Sequence, residues 1–335
     1  MRLGDRAARA AYEAGLASQA RGDLTEAAAA YGRLGPRLAE FLRQGEPAGD
    51  GPLGPHFLIV GPGRSGTTWF KRRLADHPQV FMLRGEHNYF SNGAAATPPH
   101  AYVRSFSSTY GDFKRPRTAP GRPVPPGERI YGEKSPTYIS MADGALDLCA
   151  VLFPHVRLIC TVRDPVARAI SHLKRMKPGR LRNIRRDLAE GGSSPELEQV
   201  IAQGRYAHNL ARWARRIAPS QILLVDFRRL ATDPAAVYAE TLDHIGAGPL
   251  PGPVELGALL PPTPDKQLPR ELVARIEAAY AAERFDLDWL RKVMTEAAAQ
   301  GRTGPGAGRS ASAAAAVPPP QTAHRAPPPP EAMAT

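Results

Sequence analysis

The chain has 335 residues, room for one domain of about 250 residues with a sizeable core plus appendages. Its 42% apolar and 23% charged shares are ordinary for a soluble globular protein, while 35 prolines and 31 glycines call for long loops and an unfolded end. A formal net charge of +12 predicts attraction to something anionic (nucleic acid, a membrane surface or a polyphosphorylated small molecule), and charge alone does not choose among these. Two cysteines, Cys149 and Cys160, cannot make a disulfide framework and have no metal-ligand spacing, so both are read as buried free thiols in a reducing compartment.

The first 24 residues are charged throughout and lack the apolar centre of a signal peptide. No run approaches about 18 apolar residues, so no integral membrane segment is expected and the assigned location is cytoplasmic. Residues 1–45 read as two alanine-rich helices separated by a turn at Arg21-Gly-Asp-Leu24. Tyr12, Gly15, Gly22, Asp23, Ala27 and Tyr31 resemble a single tetratricopeptide-type hairpin. One repeat cannot bury its own face, so the hairpin should pack on the main domain or on a protein partner.

Residues 46–56 form a linker, and 57–298 the main domain. There the apolar runs "FLIV", "QVFML", "VRLICTV" and "QILLVDF" each precede a helix-compatible stretch. Continuous apolar strands separated by helices predict an α/β fold with a parallel sheet covered on both faces, and such sheets bind ligands at the carboxyl ends of their strands. Residues 114–128 are too rich in proline for an element and read as a surface loop. Residues 301–335, dominated by Gly, Ala, Ser and Pro, are expected to be disordered.

"FLIVGPGRSGTTW", residues 57–69, is a short strand turning through glycines into a helix. Backbone N–H groups in such a turn converge on one anion. A nucleotide kinase would need lysine before its threonine; Thr67 holds that slot, and the cation stands earlier, at Arg64. What remains suits a single phosphate held by loop amides and by Thr67 and Thr68, with a cation over the bond being broken. A second anion site is suggested where "VRLICTVRDPVARAIS" ends a strand at Arg163 and enters a helix through Pro165.

These motifs resemble those of sulfotransferases that use 3′-phosphoadenosine 5′-phosphosulfate (PAPS). "GPGRSGTTW" looks like their 5′-phosphosulfate loop, with Arg64 where relatives carry lysine. Arg163 and Ser171, eight residues apart, resemble the pair that grips the 3′-phosphate. "YGEKSPTYIS" (131–140) and "LRGEHNYFSN" (83–92) resemble motifs of the heparan sulfate type and its bacterial relatives. The resemblance covers residues 56–295 and implies a P-loop-like parallel sheet flanked by helices.

By this resemblance PAPS is the co-substrate and no metal is required. Arg64, Ser65, Gly66, Thr67, Thr68, Trp69, Arg163, Ser171 and Arg205 would bind it, with Trp69 stacking on adenine. Glu86 would be the base toward the acceptor, adjacent His87 standing as the alternative, and Lys134 would face the transferring group or the acceptor. The expected acceptor is a carbohydrate or glycoconjugate, with a small natural product or lipid as alternative. The family's basic C-terminal loop is missing: residues 250–270 offer only Lys266 and Arg270. Rival readings are a non-catalytic nucleotide-binding module, a kinase and a nucleic-acid binder. Scattered arginines without interleaved aromatics speak against the last. Composition is consistent with a GC-rich bacterial gene.

Overall fold

The computed structural model describes residues 3–44, 53–106, 113–114, 128–250, 256 and 263–303. Six strands form one sheet: β1 Phe57–Ile59, β2 Val80–Leu83, β3 Phe113–Lys114, β4 Ile130–Lys134, β5 Arg157–Val162 and β6 Ile222–Asp226, in the order β3-β2-β4-β1-β5-β6. Five are parallel, and only the two-residue β3 runs antiparallel, at the edge beside β2.

Fourteen α-helices lie among the described residues. They are α1 Leu3–Ala20, α2 Leu24–Gly32, α3 Leu38–Leu42, α4 Thr67–Leu74, α5 Pro99–Arg104, α6 Asp143–Leu152, α7 Pro165–Arg175, α8 Pro178–Gly191, α9 Pro195–Ala202, α10 Tyr206–Ala214, α11 Arg229–Thr232, α12 Pro234–Ile245, α13 Arg270–Ala279 and α14 Leu287–Thr303. The parallel strands are buried on both faces because alternate residues serve different layers. Phe57, Ile59 and Ile159 pack with α4 and α12, whereas Leu58, Leu158 and Cys160 pack with α6, α10 and α14. Burying each such branched side chain stabilises the fold by about 1.5–3 kcal/mol. A third apolar cluster joins α7, α8, α9 and α13 outside the sheet.

The four apolar runs are strands, as their sequence predicts. The strand between them that hydropathy misses is β4, whose five residues include Gly132, Glu133 and Lys134 yet are all buried. Its glycine is forced: a Cβ at Gly132 would stand 2.1 Å from the Phe57 ring. The N-terminal hairpin is α1 and α2, with α3 as an extension. The face that the sequence left open to the main domain or a partner is covered within the chain, α2 by α6 and α3 by α5.

Both cysteines are free and fully buried. Burial raises both thiols, that of Cys160 to about 12, so neither is a thiolate at neutral pH. The last helix extends to Thr303, into the segment expected to be tail; residues 304–335, 115–127 of the expected loop and 46–52 of the linker lie outside the described residues. Among the described residues no helix is long and apolar enough to cross a membrane.

Candidate active site

The cradle forms where β1 runs out between its parallel neighbours. After Val60 the chain turns through Gly61-Pro-Gly-Arg-Ser-Gly66, and α4 starts at Thr67. Two consequences follow from the backbone. Gly66 adopts φ +82°, and a Cβ there would stand 2.3 Å from Leu230 Cδ1, so the helix start admits only glycine. Arg64 also has positive φ, +76°, where a β-carbon is strained by about 1–3 kcal/mol. Strain of that size is retained where the surroundings over-determine the conformation. Ser65 and Thr67 are buried under the turn and Thr68 is half-buried at the start of α4. The N-terminal N–H groups and dipole of that helix favour an anion.

Three separate segments bring their polar groups together at this turn. Arg64 Nε donates to Ser171 Oγ at 3.4 Å, and Arg163 Nη1 donates to the Arg64 carbonyl at 2.6 Å. Arg163 stands just beyond β5; its guanidinium lies over the Phe227 ring at 4.6 Å and its backbone N–H donates to the Tyr206 hydroxyl at 3.1 Å. Neither Arg64 nor Arg163 forms an ion pair with a described carboxylate. Burial lowers both guanidinium pKa values, and for Arg64 the neighbouring Arg175 and Arg163 lower it further. Guanidinium groups stay charged under such shifts. The result is a concentrated positive potential over backbone donors, which an anion relieves.

Ser171 is buried, and its hydroxyl lies 3.1 Å from that of Thr263. The chain before α13 therefore crosses near Ser171, in the region where the sequence lacks the family's basic loop. Below the turn, Gly63 N–H donates to Gln203 Oε1 at 3.3 Å and His172 lines the same side. His172 is held neutral, its pKa lowered to about 4 by burial first and then by Arg168, Arg64 and Arg180.

Glu86 and Lys134 meet at the carboxyl end of the sheet on the β4 side. Lys134 pairs in register with Ile59 of β1, which sets it beside the start of the cradle. Its amine, nearly buried, forms an ion pair with the half-exposed Glu86 carboxylate. The Glu86 loop is fastened from below. Asn88 takes φ +52°, a conformation asparagine tolerates; its N–H donates to Ser135 Oγ at 3.1 Å, its Oδ1 accepts from Thr137 Oγ1 at 2.8 Å, and its Nδ2 donates to the Glu86 carbonyl at 3.3 Å. Under Ser135 sits Glu133, fully buried, which accepts from Ser135, Tyr102 and Tyr138 hydroxyls. Burial and the Glu133 charge push both tyrosines far above their ordinary pKa, so both stay neutral and donate to Glu133.

Thus the structure brings together Arg64, Ser65, Gly66, Thr67, Thr68, Arg163 and Ser171, with Glu86 and Lys134 at the neighbouring strand end. The other three predicted residues make none of these contacts. Trp69 lies in the core, 2% exposed, edge-on to Phe70 and Tyr238 at 5.1 and 6.4 Å, because the second position after Thr67 on α4 points to α12 rather than to the turn. Arg205 is exposed at the start of α10, where its charge acts on Glu283. His87 is exposed beside Glu86.

A cleft of about 850 Å³ opens beside Arg163, on the β5–β6 side, lined by Asp164, Phe227, Arg228, Glu283 and Phe285 among others. Sequence reasoning missed Phe227, Asn88, Ser135 and Glu133. Asn88 had a local signal, an asparagine in the turn-prone "GEHN", and Glu133 and Ser135 lay within the motif "YGEKSPTYIS" without being singled out. Phe227 is a functional candidate only because distant segments meet.

The profile of the sulfotransferase family matches residues 55–248. Human heparan sulfate glucosamine 3-O-sulfotransferase 6 is 30% identical over 199 residues, which cover 57% of this chain and 52% of that protein. Mouse bifunctional heparan sulfate N-deacetylase/N-sulfotransferase 3 is 27% identical over 207 residues, covering 58% of this chain and 22% of its own length. The chain thus spans about half or less of the length of these curated relatives. Among solved structures, a sulfotransferase from Alicyclobacillus acidocaldarius aligns with a TM-score of 0.47 and 21% identity, over 71% of this chain and 98% of that one. With the matched region running from just before β1 to just past α12, and so holding the cradle, Arg163, Ser171, Glu86 and Lys134, the chain belongs to the sulfotransferase family.

Proposed function

We propose that the chain transfers the sulfuryl group of PAPS to a hydroxyl or amine of a carbohydrate or glycoconjugate acceptor. The observation that carries this reading is the convergence of Arg64, Arg163 and Ser171 at the turn after β1, neither arginine with a carboxylate partner among the described residues, next to the Glu86–Lys134 pair. In this reading the cradle amides, Thr67 and Thr68 hold the 5′-phosphosulfate, Arg163 and Ser171 hold the 3′-phosphate, and the cleft beside Phe227 receives the nucleoside. The carbohydrate acceptor rests on likeness to the heparan sulfate enzymes and on the "GEHNYF" and "GEKSP" motifs.

The reaction is an in-line displacement at sulfur. The acceptor oxygen or nitrogen forms a bond to sulfur as the bridging S–O bond breaks, and the electron pair leaves with the 5′-phosphate of adenosine 3′,5′-bisphosphate. The acceptor's proton goes to the Glu86 carboxylate. Positioning and electrostatics supply most of the acceleration, as in phosphoryl transfer. Arg64 meets the negative charge growing on the leaving oxygen and, being a guanidinium, does so without giving up a proton. Lys134 serves both sides: before reaction it orients Glu86, and once that carboxylate is protonated its charge is freed toward the transferring oxygens. Glu86 is favoured over His87 as base by its contact with Lys134 and its carbonyl contact to Asn88.

Calorimetry tests this reading. Adenosine 3′,5′-bisphosphate should bind without magnesium, more tightly than adenosine 5′-monophosphate, and MgATP should compete poorly. Equal or better binding of MgATP would refute it.

A further inference from the structure

The N-terminal helices lie outside the region matched by the sulfotransferase family, yet one of their side chains fastens the segment that follows Glu86. Gln19, near the end of α1, is 2% exposed. Its Nε2 donates to the backbone carbonyls of Ala94, a close contact, and Thr97, at 2.7 Å, and to the Tyr89 hydroxyl at 3.2 Å. Carbonyl oxygens only accept, so they fix which end of the amide faces the loop. From behind, Tyr31 of α2 donates to Gln19 Oε1 at 3.0 Å and locks the amide in place. Nearby, the Tyr12 hydroxyl and His100 Nδ1 lie 3.0 Å apart, joining α1 to α5.

The three points that Gln19 holds all lie on the segment following Glu86. Tyr89 stacks on Tyr102 at 4.1 Å, nearly parallel, and Tyr102 donates to Glu133, whose partner Ser135 holds Asn88. The loop is thus gripped on two sides: by β4 through Ser135, and by α1 through Gln19. Glu86 and His87 are exposed and immediately precede both grips, so the segment that carries them leaves the fixed part of the loop at Asn88.

We propose that the N-terminal helices are an intramolecular brace of the Glu86 loop, with Gln19 as its positioning residue. The proposal rests on the reading of Glu86 as base, because the brace acts on transfer only through that carboxylate. Gln19 touches neither donor nor acceptor. Its removal leaves the cradle intact and loosens residues 86–97.

The test uses the full-length chain. Gln19→Met keeps the volume and removes both polar ends of the amide, while Tyr31→Phe removes only the hydroxyl that orients it. Hydrogen–deuterium exchange over 86–97 should accelerate about ten-fold in Gln19→Met and less in Tyr31→Phe, with residues 61–74 and 157–171 at wild-type rates. Affinity for adenosine 3′,5′-bisphosphate should not change. Turnover of radiolabelled PAPS with water as acceptor, which requires no identified alcohol, should fall about five- to ten-fold at unchanged KM. In a Glu86→Ala background Gln19→Met should cost nothing further. Exchange over 86–97 that is unchanged, or that rises equally in all three segments, overturns the brace. So does a Gln19→Met loss that adds in full to that of Glu86→Ala. A wild-type chain that binds no adenosine 3′,5′-bisphosphate would instead sink the sulfotransferase reading, and the exchange comparison would still decide the brace.

Discussion

Replacing Arg163 by alanine isolates what the chain does with a 3′-phosphate. The guanidinium contributes little to the fold: one hydrogen bond to the Arg64 carbonyl and a stack on Phe227, with no carboxylate partner among the described residues. Losing that bond costs about 1 kcal/mol. Relief of repulsion from Arg168, which with burial opposes the Arg163 charge, offsets part of it. The melting temperature should therefore move by less than about 4 °C. Against a phosphate about 4 Å away, at an effective dielectric near 20, a unit charge is worth about 4 kcal/mol. Exchange with water and screening leave about 2–4 kcal/mol, which is about 30- to 900-fold in affinity. Titration calorimetry at one fixed salt concentration should show that loss for adenosine 3′,5′-bisphosphate and almost none for adenosine 5′-monophosphate. Equal losses for the two ligands would mean that Arg163 supports the cradle rather than reading the 3′-phosphate. No loss for either would refute the placement of the donor altogether.

Glu86→Gln should lower PAPS turnover about 10²- to 10⁴-fold while leaving bisphosphate affinity intact, whereas His87→Asn should change it less than about three-fold; the reverse pattern in single-turnover assays would make His87 the base. Arg64→Lys, which restores the residue found in relatives, should keep turnover within about ten-fold, and Arg64→Met should lose about 10²- to 10³-fold, read as kcat at saturating PAPS. His56 is held neutral, with its pKa lowered to about 4, by burial first and by Arg157 second, and its Nδ1 accepts from the Tyr131 N–H at 2.9 Å. A depressed histidine pKa means that the unfolded chain takes up the proton first. Its stabilising effect is complete above about pH 6.5 and is lost as pH falls toward 4, by about 3 kcal/mol at most. His172 has the same sign. Urea midpoints should fall from pH 7 to pH 4.5, and His56→Gln, which keeps an acceptor, should flatten part of that slope; an unchanged slope would show that His56 does not titrate this way.

The sequence by itself determined the parallel α/β architecture, the glycine turn after β1 and the identity of Arg64 and Arg163 as anion-binding candidates. Each of these is written locally: apolar runs of strand length, glycines where φ is positive or no Cβ fits, and a proline opening α7. It also carried Ser171, Glu86 and Lys134, through motifs that resemble those of the sulfotransferase family. Only the tertiary structure decided which of these meet. β4 escapes hydropathy because its buried polar residues find partners that pattern does not show: Glu133 accepts from Ser135 and Tyr138 close by and from Tyr102, 31 residues away, and Lys134 pairs with Glu86, 48 residues away. Trp69 directly follows the two threonines of the cradle, but the helical turn of about 100° per residue sends it into the core with Tyr238. Gln19 lies 75 residues from Ala94, and its role arises only when α1 docks against the loop. Local pattern sets elements and turn chemistry because those energies act between neighbours in the chain; the site's polar connections are set by packing, which acts between neighbours in space.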